Sequence, residues 1–349
     1  LSKKKYYYVT GNTAEGLVNF LPSNVESFNQ IIILKHPSHQ LKTNIIKNII
    51  KNYEQYELEI LLSTLGYGYI EGVIIREISV AVIMDRIATP DLSGAIELDL
   101  GLFLQKAPTE PAELTDVKKN FDKYTQLAYD NFETGLKIHD DLEGIYIKEM
   151  DFNKADILTE EFIEKLFYNV KKKDSESQVC RRLFGTNTKD GPVNEVPHVI
   201  ENISEVYHVK GRAGTGKSTF MKKVINACKA YGLDMEIYHC SFDPNSIDMV
   251  LVRELSFCMF DSTDPHEFFP EREGEVIIDL YEETVTPGTD EKFAKEIHEV
   301  NTNYKSYMKK AIQDLKQADH YLEKMEEMYK SSKNEIDLIT VFIADQIVD

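Results

Sequence analysis

Gly211-Arg212-Ala213-Gly214-Thr215-Gly216-Lys217-Ser218 is a complete G-x-x-x-x-G-K-[ST] run, set between an apolar segment at 206–209 and a helical pattern over 219–229. The chemistry of such a run is phosphate binding. Glycines let the backbone curl until successive N–H groups converge on an anion, and the helix that follows adds partial positive charge at its start. Lys217 would reach the β- and γ-phosphates, and the Ser218 hydroxyl would complete a Mg²⁺ shell. The expected nucleotide site is therefore Gly211, Arg212, Ala213, Gly214, Thr215, Gly216, Lys217, Ser218 and Thr219.

Acidic residues near such a loop do the remaining work. Leu255-Ser256-Phe257-Cys258-Met259-Phe260-Asp261 reads as an apolar strand ending in a carboxylate, so Asp261 is the candidate second metal ligand; the bland reading is that it starts a turn. Asp264-Pro265-His266 would lie at the same sheet edge. Asp243, in His239-Cys240-Ser241-Phe242-Asp243-Pro244-Asn245, follows another strand and could position a water or take a proton from an acceptor hydroxyl. The competing reading makes it an Asp-Pro-Asn turn. Arg212, Arg253 and Arg272 are candidate stabilisers of a transferred phosphoryl group.

The elements that must hold these residues occur twice. Asn12-Thr13-Ala14-Glu15-Gly16 matches Asn187-Thr188-Lys189-Asp190-Gly191 at an offset of 175 residues, and Arg76-Glu77-Ile78-Ser79 matches Arg253-Glu254-Leu255-Ser256 slightly further on. Preserved order with slowly growing offsets is what duplication followed by loop insertion leaves behind, and the period is too long for a solenoid. The polar stretch 171–177 reads as a linker between domains 1–173 and 174–349. In each copy an apolar strand (31–34, 206–209) leads to an amphipathic helix. A second strand follows (58–62, 235–239), then a long apolar stretch that is one strand or a hairpin. Alternating strands and helices predict an α/β fold with a mostly parallel sheet. Each copy then ends in a long helical arm. Tyr304, Met308, Ala311, Leu315, Ala318, Leu322, Met325 and Tyr329 form a heptad seam in the second, and Gly135 and His139 interrupt a weaker seam in the first.

The first copy is an internal control. Its aligned loop is His36-Pro37-Ser38-His39-Gln40-Leu41-Lys42-Thr43, in which Lys42 and Thr43 survive but every glycine is lost. Side chains there obstruct a positive-φ turn, and Pro37 has no N–H to offer. This half is expected to bind no nucleotide in the standard way. Gly66 stands opposite Asp243, and either Met84 or Asp85 opposite Asp261, depending on one gap.

Composition narrows the rest. With 59 acidic and 40 basic residues in 349, the net charge of −19 disfavours nucleic acid and anionic lipid as partners. No apolar run has the length of a membrane span, and no secretory signal is evident. The four cysteines form no C-x-x-C pair, so a reduced cytoplasmic protein is expected.

The run 209–219, with His239-Cys240-Ser241-Phe242-Asp243-Pro244, Phe260-Asp261-Ser262-Thr263 and Pro287-Gly288-Thr289-Asp290, resembles a bacterial family of duplicated P-loop ATPase-like proteins across essentially the whole chain. The resemblance implies two tandem P-loop NTPase-like domains and a nucleotide ligand. Some members carry an intact loop in both halves; this chain departs from that in its first half. The expected function is ATP binding with slow Mg²⁺-dependent hydrolysis in the C-terminal half, through Lys217, Asp261 and Asp243. The alternatives are a small-molecule or nucleotide kinase and a non-hydrolysing, ATP-stabilised scaffold, with the helical arms available to a protein partner. No Asn-Lys-x-Asp guanine-reading motif is evident where a GTPase would need one, which tilts the base towards adenine.

Overall fold

The computed structural model describes residues 3–105, 112–264 and 267–347; Pro265 and His266, named above, lie outside them. The first half runs β1 (Lys4–Tyr7), β2 (Thr10–Thr13), β3 (Gly16–Asn19), β4 (Gln30–Lys35), α1 (His39–Asn52), β5 (Leu58–Leu62), β6 (Ile70–Ile75), β7 (Val80–Met84) and β8 (Ala95–Asp99). It ends in the long α2 (Ala112–Ile147) and then α3 (Phe152–Phe167). The second half repeats the plan: β9 (Val179–Leu183), β10 (Gly185–Thr188), β11 (Gly191–Asn194), the short α4 (Val196–Val199), β12 (Glu205–Lys210), α5 (Lys217–Ala230), β13 (Met235–His239), β14 (Ile247–Val252), β15 (Phe257–Asp261) and β16 (Glu275–Asp279). Two short helices, α6 (Leu280–Thr284) and α7 (Thr289–Lys292), precede the long α8 (Ala294–Met328) and α9 (Lys333–Gln346).

Each half forms a six-stranded sheet, ordered β1-β5-β6-β7-β4-β8 and β9-β13-β14-β15-β12-β16, so every strand has its counterpart in the same place. All neighbours are parallel except where β6 and β14 run against theirs. The long apolar stretch of each copy is thus a hairpin. Its turn ends in a left-handed serine in both halves, Ser79 (φ 56°) and Ser256 (φ 48°), a costly conformation for a side-chain-bearing residue. The central strands β6 and β7, and β14 and β15, are buried almost throughout. That is why they are nearly continuous runs of Val, Ile, Met and Phe rather than alternating ones.

The two repeats exchange their last helices. Phe162, Ile163, Leu166 and Phe167 of α3, from the first repeat, complete the core under α5 in the second. Ile339, Ile343 and Ile347, on and just after α9 of the second repeat, complete the core under α1 in the first. The exchange requires the long helices to cross. Leu114 and Val117 of α2 meet Leu322 and Met325 of α8, Ala128 and Phe132 meet Ala311 and Leu315, and Leu142 meets Ile297 and Val300. The two therefore lie antiparallel, and each carries the chain from its own sheet to the other.

Between the sheets lies a pseudo-twofold axis. Asn12 Nδ2 donates to Asn187 O (2.8 Å) and Asn187 Nδ2 donates to Asn12 O (3.2 Å), so the duplicated Asn-Thr-x-x-Gly segments bind each other reciprocally. Beside them the fully buried Arg182 donates to Glu59 (3.0 Å) and Glu236 (2.6 Å), equivalent residues of the two sheets, and stacks on Tyr7. A charge this deep is tolerable only when paired on each open side. No helix among the described residues is long and apolar enough to cross a membrane.

Candidate functional site

The loop 211–216 joins β12 to α5 at the C-terminal edge of the second sheet. Gly214 (φ 73°) and Gly216 (φ 83°) take left-handed conformations, and Gly216 stands at the N-cap with no side chain capping the helix. Glycine is needed at both, because a Cβ disfavours this backbone. Thr215 shapes the loop from within: its hydroxyl donates to Arg212 O (2.8 Å) and accepts from Arg212 N (3.2 Å). Lys217 Nζ turns back over the loop, donating to Arg212 O at 2.8 Å with Asp261 Oδ2 at 3.6 Å. Ser218 Oγ accepts from Ile247 N (2.9 Å), and Thr219 is exposed on the first turn of α5.

Asp261 pairs in register with Val209, the residue two before the loop. In the first sheet the residue facing Leu34, the counterpart of Val209, is Met84; this resolves the one-gap ambiguity, and the first half has no carboxylate in that register position. Asp243 and Lys217 both act on the Glu143 and Asp248 carboxyls, but Asp243 Oδ1 accepts from Asn245 N (3.0 Å), so the Asp-Pro-Asn turn is present. Sequence reasoning missed Asp248 on β14. Burial, and then the neighbouring Asp261, push its carboxyl up to about 7, while Lys217 works in the opposite sense. Its counterpart Glu71 was the available signal. That carboxylate is also buried, and is held by Arg86, Thr10 and Ser63.

Arg212 pairs with Asp290 (2.9 Å) and lies over the Tyr281 ring. Two other arginines do not come to the loop. Arg253 belongs to the axis network, donating to Glu236 (2.5 Å) and to the Tyr7 hydroxyl (3.0 Å). Arg272 binds Glu275 and the carbonyls of Ile200 and Glu201. Both are candidates by side-chain charge alone, and Arg76 at the place of Arg253 in the first half already counts against Arg253. Asn153-Lys154-Ala155-Asp156 has the order of a guanine-reading motif and lies upstream of the loop, yet the helix exchange brings it onto the second half. There it is the first turn of α3, and Asp156 pairs with Lys223 of α5 (2.5 Å).

The C-terminal end of α2 lies directly over the loop. A Cβ on Gly214 would come 2.7 Å from Glu143 O and 2.9 Å from Glu143 Cα; one on Gly216 would touch the Met150 methyl at 3.5 Å. Ala213 packs with Leu142, Tyr146 and Met150. The Tyr146 hydroxyl donates to Asp290 (2.8 Å), the partner of Arg212. Glu143 stands 3.8 Å from His139 Nδ1. Its carboxyl is raised above the usual range by burial and then by Asp140 and Asp243, with Lys217 offsetting part of the shift. Burial lowers the His139 pKa.

The corresponding place in the first half is filled. At the offset of 183 that pairs Ala128 with Ala311 on the two arms, Glu143 corresponds to Glu326. Glu326 accepts from the Ser38 hydroxyl (2.6 Å) and from His39 N (2.7 Å), at the positions equivalent to Ala213 and Gly214. Ser38 also caps α1 through Leu41 N (3.0 Å). Lys42, buried, is bound to Asp85 at 2.5 Å. A carboxylate of the chain itself thus sits where this helix start attracts an anion.

Among the described residues no group of three or more His, Cys, Asp or Glu side chains is arranged to hold a metal ion. No protein-family model, curated protein or solved structure matches the chain.

Proposed function

We propose that the C-terminal half binds a nucleoside triphosphate, with ATP the first choice, and hydrolyses it slowly with Mg²⁺. One observation carries this reading. The start of α1 binds an internal carboxylate, while the equivalent start of α5 is left without a side-chain cap by two left-handed glycines and has a lysine folded over it. That combination suits a phosphate chain: amide N–H groups for its oxygens and Lys217 for its charge. Gly211, Arg212, Ala213, Gly214, Thr215, Gly216, Lys217, Ser218 and Thr219 form this binding segment, and the paired long helices are read as heptad-patterned arms on a P-loop framework.

Mg²⁺ fits the donor chemistry. Ser218 and Asp261 offer hard oxygen ligands, and Asp248, beside Asp261, is a carboxyl whose acidity is weakened by burial and then by that neighbouring negative charge. Such a site usually needs few protein ligands, because phosphates and water supply the rest. When bound, the ion neutralises charge on the β- and γ-phosphates. Asp243 orients the loop over residues 243–246 and contributes negative charge near Lys217.

Calorimetric titration with MgATP and MgGTP, together with an assay of phosphate release, tests the reading. Micromolar binding lost in Lys217→Ala, with phosphate released in the absence of any acceptor, supports hydrolysis. Release only when an acceptor is added supports the kinase; binding without release supports the scaffold. Preference for GTP would bring Asn153 and Asp156 into base recognition. No binding of either nucleotide sinks the proposal.

A further inference from the structure

We propose that Glu143, carried across the pseudo-twofold axis by α2, is the carboxylate that activates water at the C-terminal loop. The inference rests on the nucleotide reading above and adds a residue of the other repeat to that site. Three independent observations meet here. The Glu143 backbone lies against Gly214, in the loop itself. Its counterpart Glu326 shows how far a carboxylate at this arm position reaches: both its oxygens are engaged at the equivalent loop, one of them by a backbone N–H. Glu143 is instead turned towards His139, near Lys217 and Asp243, so it does not fill the start of α5 as Glu326 fills that of α1.

The third observation is the break in the apolar seam of α2. On α8 the residue equivalent to His139 is Leu322, buried against Leu114 and Val117. On α2 the imidazole instead lies among Phe242, Tyr304 and Glu143, facing the intact loop. A polar residue in an apolar stripe weakens helix packing, and here it occurs only on the arm that covers a loop able to hold phosphate. His139 is a positioning residue; Glu143 meets the water. Asp243 is less well placed for this role because one of its oxygens already holds Asn245 N–H.

In the step, a water oxygen attacks the terminal phosphorus while the bond from that phosphorus to the β–γ bridging oxygen breaks, its electron pair leaving with the nucleoside diphosphate. The Glu143 carboxylate takes the water proton and returns it to solvent once inorganic phosphate has departed. The N-terminal repeat, with its own loop closed, thereby acts in the other half's chemistry.

The test compares wild type, E143Q and E326Q as full-length protein, by MgATP titration and single-turnover phosphate release. Glu143 is part-exposed on a helix that glutamine suits equally well, so E143Q should fold. The expected result is binding within about threefold of wild type and turnover at least about 100-fold slower, with E326Q turning over as wild type does. Equal turnover by E143Q overturns the assignment. So does a parallel fall in binding and turnover, which would make Glu143 a prop for the loop, and so does a wild type that binds MgATP without hydrolysing it. A wild type that binds no nucleotide overturns the underlying reading instead, and is distinguishable because it appears before any variant is made.

Discussion

Helices α1 and α5 are both 14 residues long, follow equivalent strands and lie under equivalent arms, yet α1 begins at His39, the counterpart of Gly214, while α5 begins only at Lys217. The three-residue difference follows from backbone preference. Ser38 caps a helix readily, and His39, Gln40 and Leu41 wind on from it, so α1 consumes the loop. Gly214 and Gly216 in left-handed conformations stop the winding, and the chain there remains an open curl. What fills each start then differs as well: Glu326 for one, and the proposed phosphates for the other. Duplication has left one framework with a closed and an open version of the same loop.

The largest effect is expected where the two halves are held in register. Arg182→Ala leaves Glu59 and Glu236 buried without their shared cation and should cost about 3–5 kcal/mol in denaturant unfolding. Loss of under 1 kcal/mol would mean the halves are aligned by the arms alone. The same network sets an acid limit. Burial pushes the Glu236 carboxyl up, but Arg182 and Arg253 outweigh it and hold it at about 2 against an ordinary 4.5. Its stabilising contribution is therefore complete above the ordinary value and is lost as pH falls through about 2. Acid unfolding followed by circular dichroism should show stability falling across that window.

Next comes one substitution made at two equivalent positions. Lys42→Ala should destabilise by about 3 kcal/mol, at the low end for a broken buried pair because Asp85 is partly exposed, and leave nucleotide affinity unchanged. Lys217→Ala should do the reverse: a small change in unfolding and at least a hundredfold loss in MgATP affinity, or about 2.7 kcal/mol. Similar phenotypes for the two would erase the distinction between the closed and open loops.

Gly214→Ala brings a Cβ against the Glu143 carbonyl in a left-handed backbone, so about 1–3 kcal/mol of strain is expected, read as a lowered melting temperature together with weakened binding. Smallest is Ser38→Ala. Losing the cap of α1 and one hydrogen bond to Glu326 should cost about 1 kcal/mol, with turnover unaffected.

Much of this fold was legible in the sequence, because its signals are local or repeated. The order of strands and helices followed from apolar periodicity. The duplication followed from matched runs, and the loop from glycine spacing. The position of Asp261 at a strand end was legible because an apolar run closed by a carboxylate is a local pattern, and the strand pairs in register with β12 at Val209. Arg253 misled because its chemistry suits phosphate as well as it suits Glu236. Asp248 was hidden inside an apolar run whose hairpin nature was undecided. Glu143 carried no signal at all beyond the interruption of a seam at His139.

The sequence by itself determined where the backbone can turn left-handed: the glycines at 214 and 216 permit φ of 73° and 83°, and no distant contact is needed to allow it. Only tertiary structure decided which groups stand around that place. Helix α2 lies over the second half's loop, and α3 joins the second half's core, because their apolar faces are buried best against surfaces far along the chain. Burial of apolar area is non-directional, so it chooses a partner by shape and packing rather than by any neighbouring residue type.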